Sequence, residues 1–122
     1  MRADELMIGD WVLNGCGNPI QVKELLEDSI NGEWDGCECY GLEELYDDIK
    51  PIPIDEDILY KNGWVGAGDN MFVKKPYMLT KADKVWGIAY GLAYIAEIRY
   101  VHELQNLLRS TDRNIDYQMP RV

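Results

Sequence analysis

The residues in this sequence most able to do chemistry are a single histidine, a pair of cysteines and several acidic clusters. His102 is the only histidine in the 122 residues, and histidine serves as a general base or a metal ligand near neutral pH. No serine or cysteine stands beside it in a nucleophile setting, so acid–base catalysis by His102 has nothing evident to act on. A histidine that bonds locally at a helix start, or faces water, is the simpler interpretation.

The paired cysteines occupy Cys37-Glu38-Cys39. On a strand, residues two apart point to the same face, so both thiols could bind one metal ion. With Cys16 and His102 they would make four ligands, which is enough for tetrahedral zinc. However, zinc pairs are usually separated by at least two residues, and the sequence has no second pair. We therefore expect two small, half-buried strand residues, and no metal or cofactor.

Two acidic clusters stand out, one of which is Glu43, Glu44, Asp47 and Asp48. Neither has the spacing of an EF-hand loop. The other, the segment 55–57, is explained as a helix start, because Asp55 is a good N-cap and acids favour the first turn. The first cluster is expected to be a solvated acidic face. Residues 1–60 hold 16 Asp and Glu against three Lys and Arg, whereas residues 61–122 hold six against nine.

The charge imbalance predicts two parts with a boundary near residue 60, and the predicted elements place the two parts at 1–53 and 54–122. In the first part, short apolar–polar alternations separated by turn residues predict strands near 8–13, 20–27, 33–40 and 48–52, with a single helical turn at 41–45. This order resembles a small SH3-like β-barrel. The opening Ile8-Gly9-Asp10-Trp11-Val12 is typical of the first strand of many such barrels.

The second part is predicted to be α+β. Asp55 starts a short helix over 55–62, which Gly63 ends. A glycine-rich turn is expected over 65–70. Strands follow at about 71–79, with a break near Pro76, and at about 85–90 and 94–100, forming a three-stranded antiparallel sheet. At residue 101 the apolar period changes to that of a helix, which runs to 110 with Val101, Leu104, Leu107 and Leu108 on one face. Small residues at 87, 89, 91 and 93 predict close packing, and we expect this helix to lie there.

Three stretches together resemble a group of small proteins found in gut Bacteroidales genomes, their phages and mobile elements. Leu6–Val12 matches a Leu-x-Ile-Gly-Asn/Asp-x-Val start, 51–54 matches a Pro-Ile-Pro-Leu helix start, and 100–106 matches a Tyr-Val-His-Gln-Leu-Gln-Asn helix. Glu103 departs from the usual Gln, and 110–113 replaces a usual Leu-Thr-Gly-Glu-Glu-Leu. The group has no established activity, so the resemblance implies a phage-related context and no mechanism.

These observations favour a non-catalytic protein-interaction module over an enzyme. The partner is expected to be a protein, and the acidic surface would suit a basic one; a homo-oligomer is left open. The candidate binding residues are Trp11, Trp34, Tyr40, Glu43, Glu44, Asp47 and Asp48. One alternative is an enzyme that uses His102 with carboxylates.

The other alternative is a nucleic-acid-binding module in the slightly basic second half. Lys74, Lys75, Lys81 and Lys84 alternate there with Phe72, Tyr77 and Trp86. The net charge of −10 argues against it, because a phosphate backbone repels an acidic protein. No apolar run approaches 18 residues and the N-terminus lacks a signal segment, so we expect a cytoplasmic protein without a membrane span.

Overall fold

The computed structural model describes residues 1–34 and 42–111, with the side chains of Trp34, Leu42 and Thr111 excepted. The described chain divides into two compact units. Among the described residues, the first contains those of Met1–Ile52 and 100–111, and the second contains Pro53–Arg99. The chain leaves and re-enters the first unit at neighbouring points, since Val101 N donates a hydrogen bond to Ile52 O at 2.8 Å.

The first unit is built on an antiparallel sheet of five strands in the order β4-β3-β2-β1-β5. Its strands are β1 (Trp11–Leu13), β2 (Pro19–Leu25), β3 (Ser29–Trp34), β4 (Leu42–Leu45) and β5 (Lys50–Pro51). Short 3₁₀ turns occupy Ala3–Glu5 and Tyr46–Asp48. The alternation of strand side chains buries one face, and the core comprises Leu6, Val12, Ile20, Val22, Ile30, Tyr46 and Ile49.

The predicted SH3-like β-barrel is wrong, because among the described residues the sheet stays open. Its two outer strands, β4 and β5, are paired on one side only. Strand β5 has two residues and pairs with β1 at Val12↔Pro51 and Leu13↔Lys50. Pro51 has no backbone N–H to donate, which suits an edge. The helical turn expected at 41–45 lies later, at Tyr46–Asp48.

Helix α2 (Val101–Thr111) belongs to the first unit, where it contacts β1. Of the predicted apolar face, Val101, Leu104 and Leu108 are fully buried and Leu107 is half-buried. Glu103 accepts a hydrogen bond from Tyr100 N at 3.1 Å and so caps the helix start. The prediction that this helix completes the second part of the chain is therefore corrected.

The second unit contains a short helix and a second antiparallel sheet, in the order β10-β9-β8-β7-β6. The helix α1 (Glu56–Lys61) begins after Asp55, whose carboxylate accepts from Ile58 N at 2.8 Å, so the predicted N-cap is confirmed. The strands are β6 (Val65–Gly66), β7 (Met71–Lys74), β8 (Tyr77–Ala82), β9 (Val85–Tyr90) and β10 (Ala93–Ile98).

The predicted three-stranded sheet is corrected to five strands. The segment 71–79 was expected to be one strand with a break, but the chain reverses at Lys75-Pro76 and forms β7 and β8. Proline lacks the N–H that a continuous strand would donate, which favours reversal over continuation. The glycine-rich segment after α1 was expected to be a turn, yet Val65 and Gly66 pair with Val73 and Phe72.

Candidate functional site

Polar side chains of α2 form hydrogen bonds with the backbone of the loop that precedes β1. Gln105 is fully buried; its Oε1 accepts from Trp11 N at 2.9 Å and its Nε2 donates to Gly9 O at 2.9 Å. Arg109 Nη2 donates to Ile8 O at 2.9 Å. The first and last of the three stretches that carry the sequence resemblance, 6–12 and 100–106, therefore contact each other. Their polar residues form hydrogen bonds between the two stretches, and neither stretch shows this alone.

Asp10 lies at the centre of this contact and is 0% exposed. Its Oδ2 accepts from Met7 N at 2.9 Å and from Asn106 Nδ2 at 3.1 Å. Its Oδ1 has no hydrogen-bond partner among the described residues, and Arg109 Nη2 is 4.0 Å away. Burial raises the pKa of Asp10 from 3.8 to about 6, although the two hydrogen bonds and the guanidinium act in the opposite direction.

A cavity of about 370 Å³ lies beside the start of α2; we call it the His102 cavity. It is lined by Met1, Glu5, Pro51, Tyr100, His102, Glu103 and Asn106. Tyr100 and His102 stack with ring centroids 6.0 Å apart and planes 10° from parallel. The cavity thus combines an aromatic wall, two carboxylates and an amide, all from the first unit.

His102 is 6% exposed, so it is a buried member of this wall. Burial lowers the pKa of His102 below 6.5, while the nearby carboxylates of Glu103 and Glu5 act to raise it. Its Nδ1 has no hydrogen-bond partner among the described residues, and neither has Oδ1 of Asn106. The sequence singled out His102, but nothing in it could place Glu5 or Asn106 beside the ring.

For the hypothesis of an enzyme that uses His102, the structure does bring the histidine together with two carboxylates. Within the described part of the chain, however, no serine, threonine or cysteine lines the cavity. A histidine that activates a nucleophile as a general base needs a hydroxyl or thiol side chain within hydrogen-bond reach. The same described residues contain no group of three or more His, Cys, Asp and Glu able to hold a metal ion.

The predicted binding residues are not brought together as one patch. Trp11 is 3% exposed and lies on a strand with neighbours on both sides, so its ring is not a binding surface. Tyr40, the side chain of Trp34, and the cysteines at 37 and 39 lie outside the described residues. Cys16 is exposed. The acidic residues fall on β4 and the following 3₁₀ turn, where Glu43, Asp47 and Asp48 are exposed and Glu44 is half-buried.

The two units differ in net charge, although by less than the two halves of the sequence do. Over its described residues, the first unit carries 12 Asp and Glu against four Lys and Arg, and the second carries six against six. The second unit is therefore neutral, not basic. Phe72, Tyr77 and Trp86, which were the expected stacking residues of a nucleic-acid site, are all buried. Phe72 packs against Trp86 at 5.7 Å between ring centroids.

Sequence reasoning missed an apolar patch on the second unit, which we call the hairpin patch: Tyr90, Leu92, Tyr94 and Ile95. Strands β9 and β10 meet at the Tyr90↔Ala93 pair, and Gly91 turns the chain with a φ of +61°. Leu92 is fully exposed and Tyr94 is 63% exposed. Strand β10 is also an edge strand. The sequence signal that could have revealed this patch is the run of large apolar residues around a two-residue turn.

The sheet extends this apolar character away from the hairpin. One row of directly paired residues crosses all five strands, namely Val65, Val73, Met78, Ala89 and Tyr94. Each is exposed or half-exposed. The Tyr94 ring lies over Gly87, where a Cβ would come within 3.2 Å of it. The small residues at 87 and 89 therefore make room for Tyr94.

Comparisons of the chain with protein-family models, with curated proteins and with solved structures find no match. In the part of the chain that the structure describes, neither helix is long and apolar enough to cross a membrane.

Proposed function

We propose that this protein is a non-catalytic protein-interaction module that binds its partner through the hairpin patch. The supporting observation is the concentration of Tyr90, Leu92, Tyr94 and Ile95, all exposed, within six residues on one hairpin. Scattered single apolar residues are normal on a protein surface, but a concentration of them marks an interaction site. The strand register places Tyr94 on the face of the five-strand apolar row and Tyr90 on the opposite face of the hairpin. Aromatic residues are also the type most enriched at binding hot spots.

The edge position of β10 adds backbone groups to the same surface. An edge strand presents unpaired N–H and C=O groups, which a partner strand can pair with. Glu97 is the only charged residue of β10, so little electrostatic repulsion opposes an apolar partner there. The second unit as a whole is neutral in its described residues, which also favours apolar contact over charge-driven binding.

The test is capture of partners from bacterial lysate by the full chain and by Leu92→Asp. Full burial of a leucine side chain contributes about 1.5–3 kcal/mol, so we expect this variant to lose at least about tenfold in partner affinity. The Leu92→Asp variant should keep the wild-type fold, because the Leu92 side chain is fully exposed. The matched control is Leu45→Asp, the same change at an exposed leucine of the first unit. Equal capture by all three proteins would refute the hairpin patch as the binding surface.

A second surface for the same class of function is the acidic cluster of Glu43, Glu44, Asp47 and Asp48. It is favoured by the excess of carboxylates over cations in the first unit. We expect it to attract a basic protein, with binding that weakens as salt is added. Changing the four acids to their amides should abolish salt-sensitive capture of partner proteins. If this variant retains every partner, the proposal that the acidic cluster is a binding surface is wrong. A nucleic-acid partner gains no support, because the candidate stacking rings are buried.

A further inference from the structure

The sheet of the second unit has one face that is nearly free of charge, which we call the outer face. Directly paired residues of neighbouring strands point to the same side of a sheet. The outer face therefore contains the row that runs from Val65 to Tyr94, together with the pair Ala82↔Val85. A second row beside the first comprises Met71, Thr80, Gly87 and Glu97. All of these residues are exposed or half-buried, and Glu97 is the one charged residue among them.

The sheet of the first unit shows what a solvated face looks like in the same chain. An antiparallel sheet with one face in water normally carries polar residues on that face. In the first sheet, Glu24, Asn31 and Glu43 form such a paired row across three strands, and each is exposed or half-buried. The outer face of the second sheet departs from this pattern. An uncovered apolar surface of this kind marks a contact with another molecule.

The distribution of charge favours a second copy of the chain as the occupant. Each copy has a net charge of −10, so two copies repel each other wherever their acidic surfaces approach. The first unit carries 12 acids against four cations in its described residues, whereas the second carries six against six. The outer face is therefore a place where two copies can meet with little repulsion. A basic protein would instead be attracted to the carboxylates of the first unit.

The outer face is also complementary to itself. A two-fold axis that runs along the strands, between two such faces, reverses the strand order of one copy relative to the other. Strand β10 of one copy then lies over β6 of the other, so the exposed Tyr94 ring meets the exposed Val65 side chain. A cavity of about 390 Å³ on the outer face, lined by Tyr94 and Gly87 among others, provides room for that contact. The two Glu97 carboxylates lie on opposite edges, about 19 Å apart across the strands.

We propose that the outer face binds a second copy of this chain, forming a two-fold dimer in which the two sheets pack face to face. Five strands of two to six residues give a flat footprint of about 400 Å² on each copy, from the usual strand spacing and rise. This area is at the low end for protein interfaces, so the dimer is weak and forms at high concentration. The outer face shares only Tyr94 with the hairpin patch, so either proposal can fail without the other.

The test is sedimentation velocity of the full chain from about 10 μM to about 1 mM, the range in which weak complexes form. Each concentration is measured at low and at high sodium chloride. We expect the sedimentation coefficient to rise with concentration, and to rise further at high salt. Salt screens the repulsion between two acidic copies and does not weaken apolar contact. A dimer held by ion pairs would dissociate under the same change.

The deciding variants are Met78→Lys and Thr80→Lys, both on the outer face of the central strand β8. The two-fold axis sets residues of β8 close to their own symmetry mates, so either lysine would bring two like charges together. We expect each to weaken the dimer about tenfold or more. Thr80 is exposed, so its replacement should leave the fold intact. The matched control, Leu45→Lys, adds the same charge at an exposed leucine of the first unit and should not weaken the dimer.

Two outcomes would overturn the dimer directly. One is a chain that stays monomeric at every concentration and salt, and the other is self-association that neither lysine variant on β8 weakens. A third outcome is a monomeric chain that captures another protein from lysate, with capture lost in Thr80→Lys. That result would assign the outer face to a different partner and would also overturn the proposal.

Discussion

Replacement of Asp10 by asparagine should stabilise the first unit, and by more as the pH rises. An asparagine Oδ1 in the place of Asp10 Oδ2 would still accept from Met7 N and Asn106 Nδ2. The variant carries no charge at a site that is 0% exposed. It removes the attraction to Arg109, 4.0 Å away, but that attraction is already outweighed by burial, since the pKa of Asp10 is raised to about 6.

The sign follows from proton linkage. The folded protein keeps the Asp10 proton up to about pH 6, whereas the unfolded chain releases it near 3.8. Between these values the folded state holds more protons, so the free energy of unfolding falls as the pH rises. The gap corresponds to about 3 kcal/mol above pH 7, at about 1.4 kcal/mol per pH unit. The same relation gives about 1.6 kcal/mol at pH 5.

The assay is urea unfolding of the wild type and Asp10→Asn from pH 5 to 8, above the pI of about 4.4. The readout is the amide NMR signals of Val12 and Leu104, because two compact units need not unfold together. His102, whose pKa is lowered, destabilises both proteins as the pH falls below 6.5, and this cancels in their difference. Asp47→Asn, the same change at an exposed site, is the control. A stability difference that does not grow with pH, or a less stable variant at pH 8, would refute the reasoning.

Three further predictions concern packing and titration. Gln105→Leu removes the hydrogen bond to Trp11 N inside the protein, and should cost about 1–3 kcal/mol of unfolding free energy in urea. Gly32→Ala places a Cβ 2.8 Å from Ile20 Cδ1 and 3.3 Å from its Cβ, so overpacking should cost about 1–3 kcal/mol, measured the same way. The NMR titration of His102 should give a pKa below 6.5, because burial disfavours its charged form.

Matched variants separate these mechanisms from general sensitivity. Gln21→Leu also removes a side-chain bond to Gly9 O, at 3.1 Å, but leaves Trp11 N bonded, so it should cost less than Gln105→Leu. Gly15→Ala meets only ordinary contacts, none closer than 3.7 Å, and should be close to neutral. Equal losses for either matched pair would contradict the assigned cause. A His102 pKa at or above 6.5 would show that the carboxylates outweigh burial.

Local features of this chain could be predicted from the sequence, and distant pairings could not. The N-cap at Asp55 depends on bonds within one helical turn, so the residues beside it are sufficient. The buried face of α2 follows from its own period. Strand β6 has two residues, too few for any periodic signal. The sequence around Pro76 is compatible both with one strand that is broken there and with a chain reversal between two strands. Only the pairing of β7 with β8 distinguishes the two.

The same limit applies to the candidate site. His102 could be singled out because it is unique, but its cavity is completed by Met1, Glu5 and Pro51, which lie at least 51 residues from it in sequence. Trp11 was a candidate binding residue, and the sequence left the exposure of its ring open. The ring is buried because β1 is flanked by β2 and β5 and held by Gln105 from α2.

Helix α2 therefore joins two uses that neighbouring residues allow an experiment to separate. Gln105 points its hydrogen bonds to the loop before β1, and Glu103 lines the His102 cavity. If this helix acts through packing and its N-terminal cap, Gln105→Leu should lower the free energy of unfolding in urea by about 1–3 kcal/mol, because it removes the acceptor that Gln105 offers to Trp11 N. Glu103→Gln should change the same free energy by less than about 0.5 kcal/mol, because glutamine also caps a helix start. Equal losses for the two variants would show that the two residues do not have separate uses.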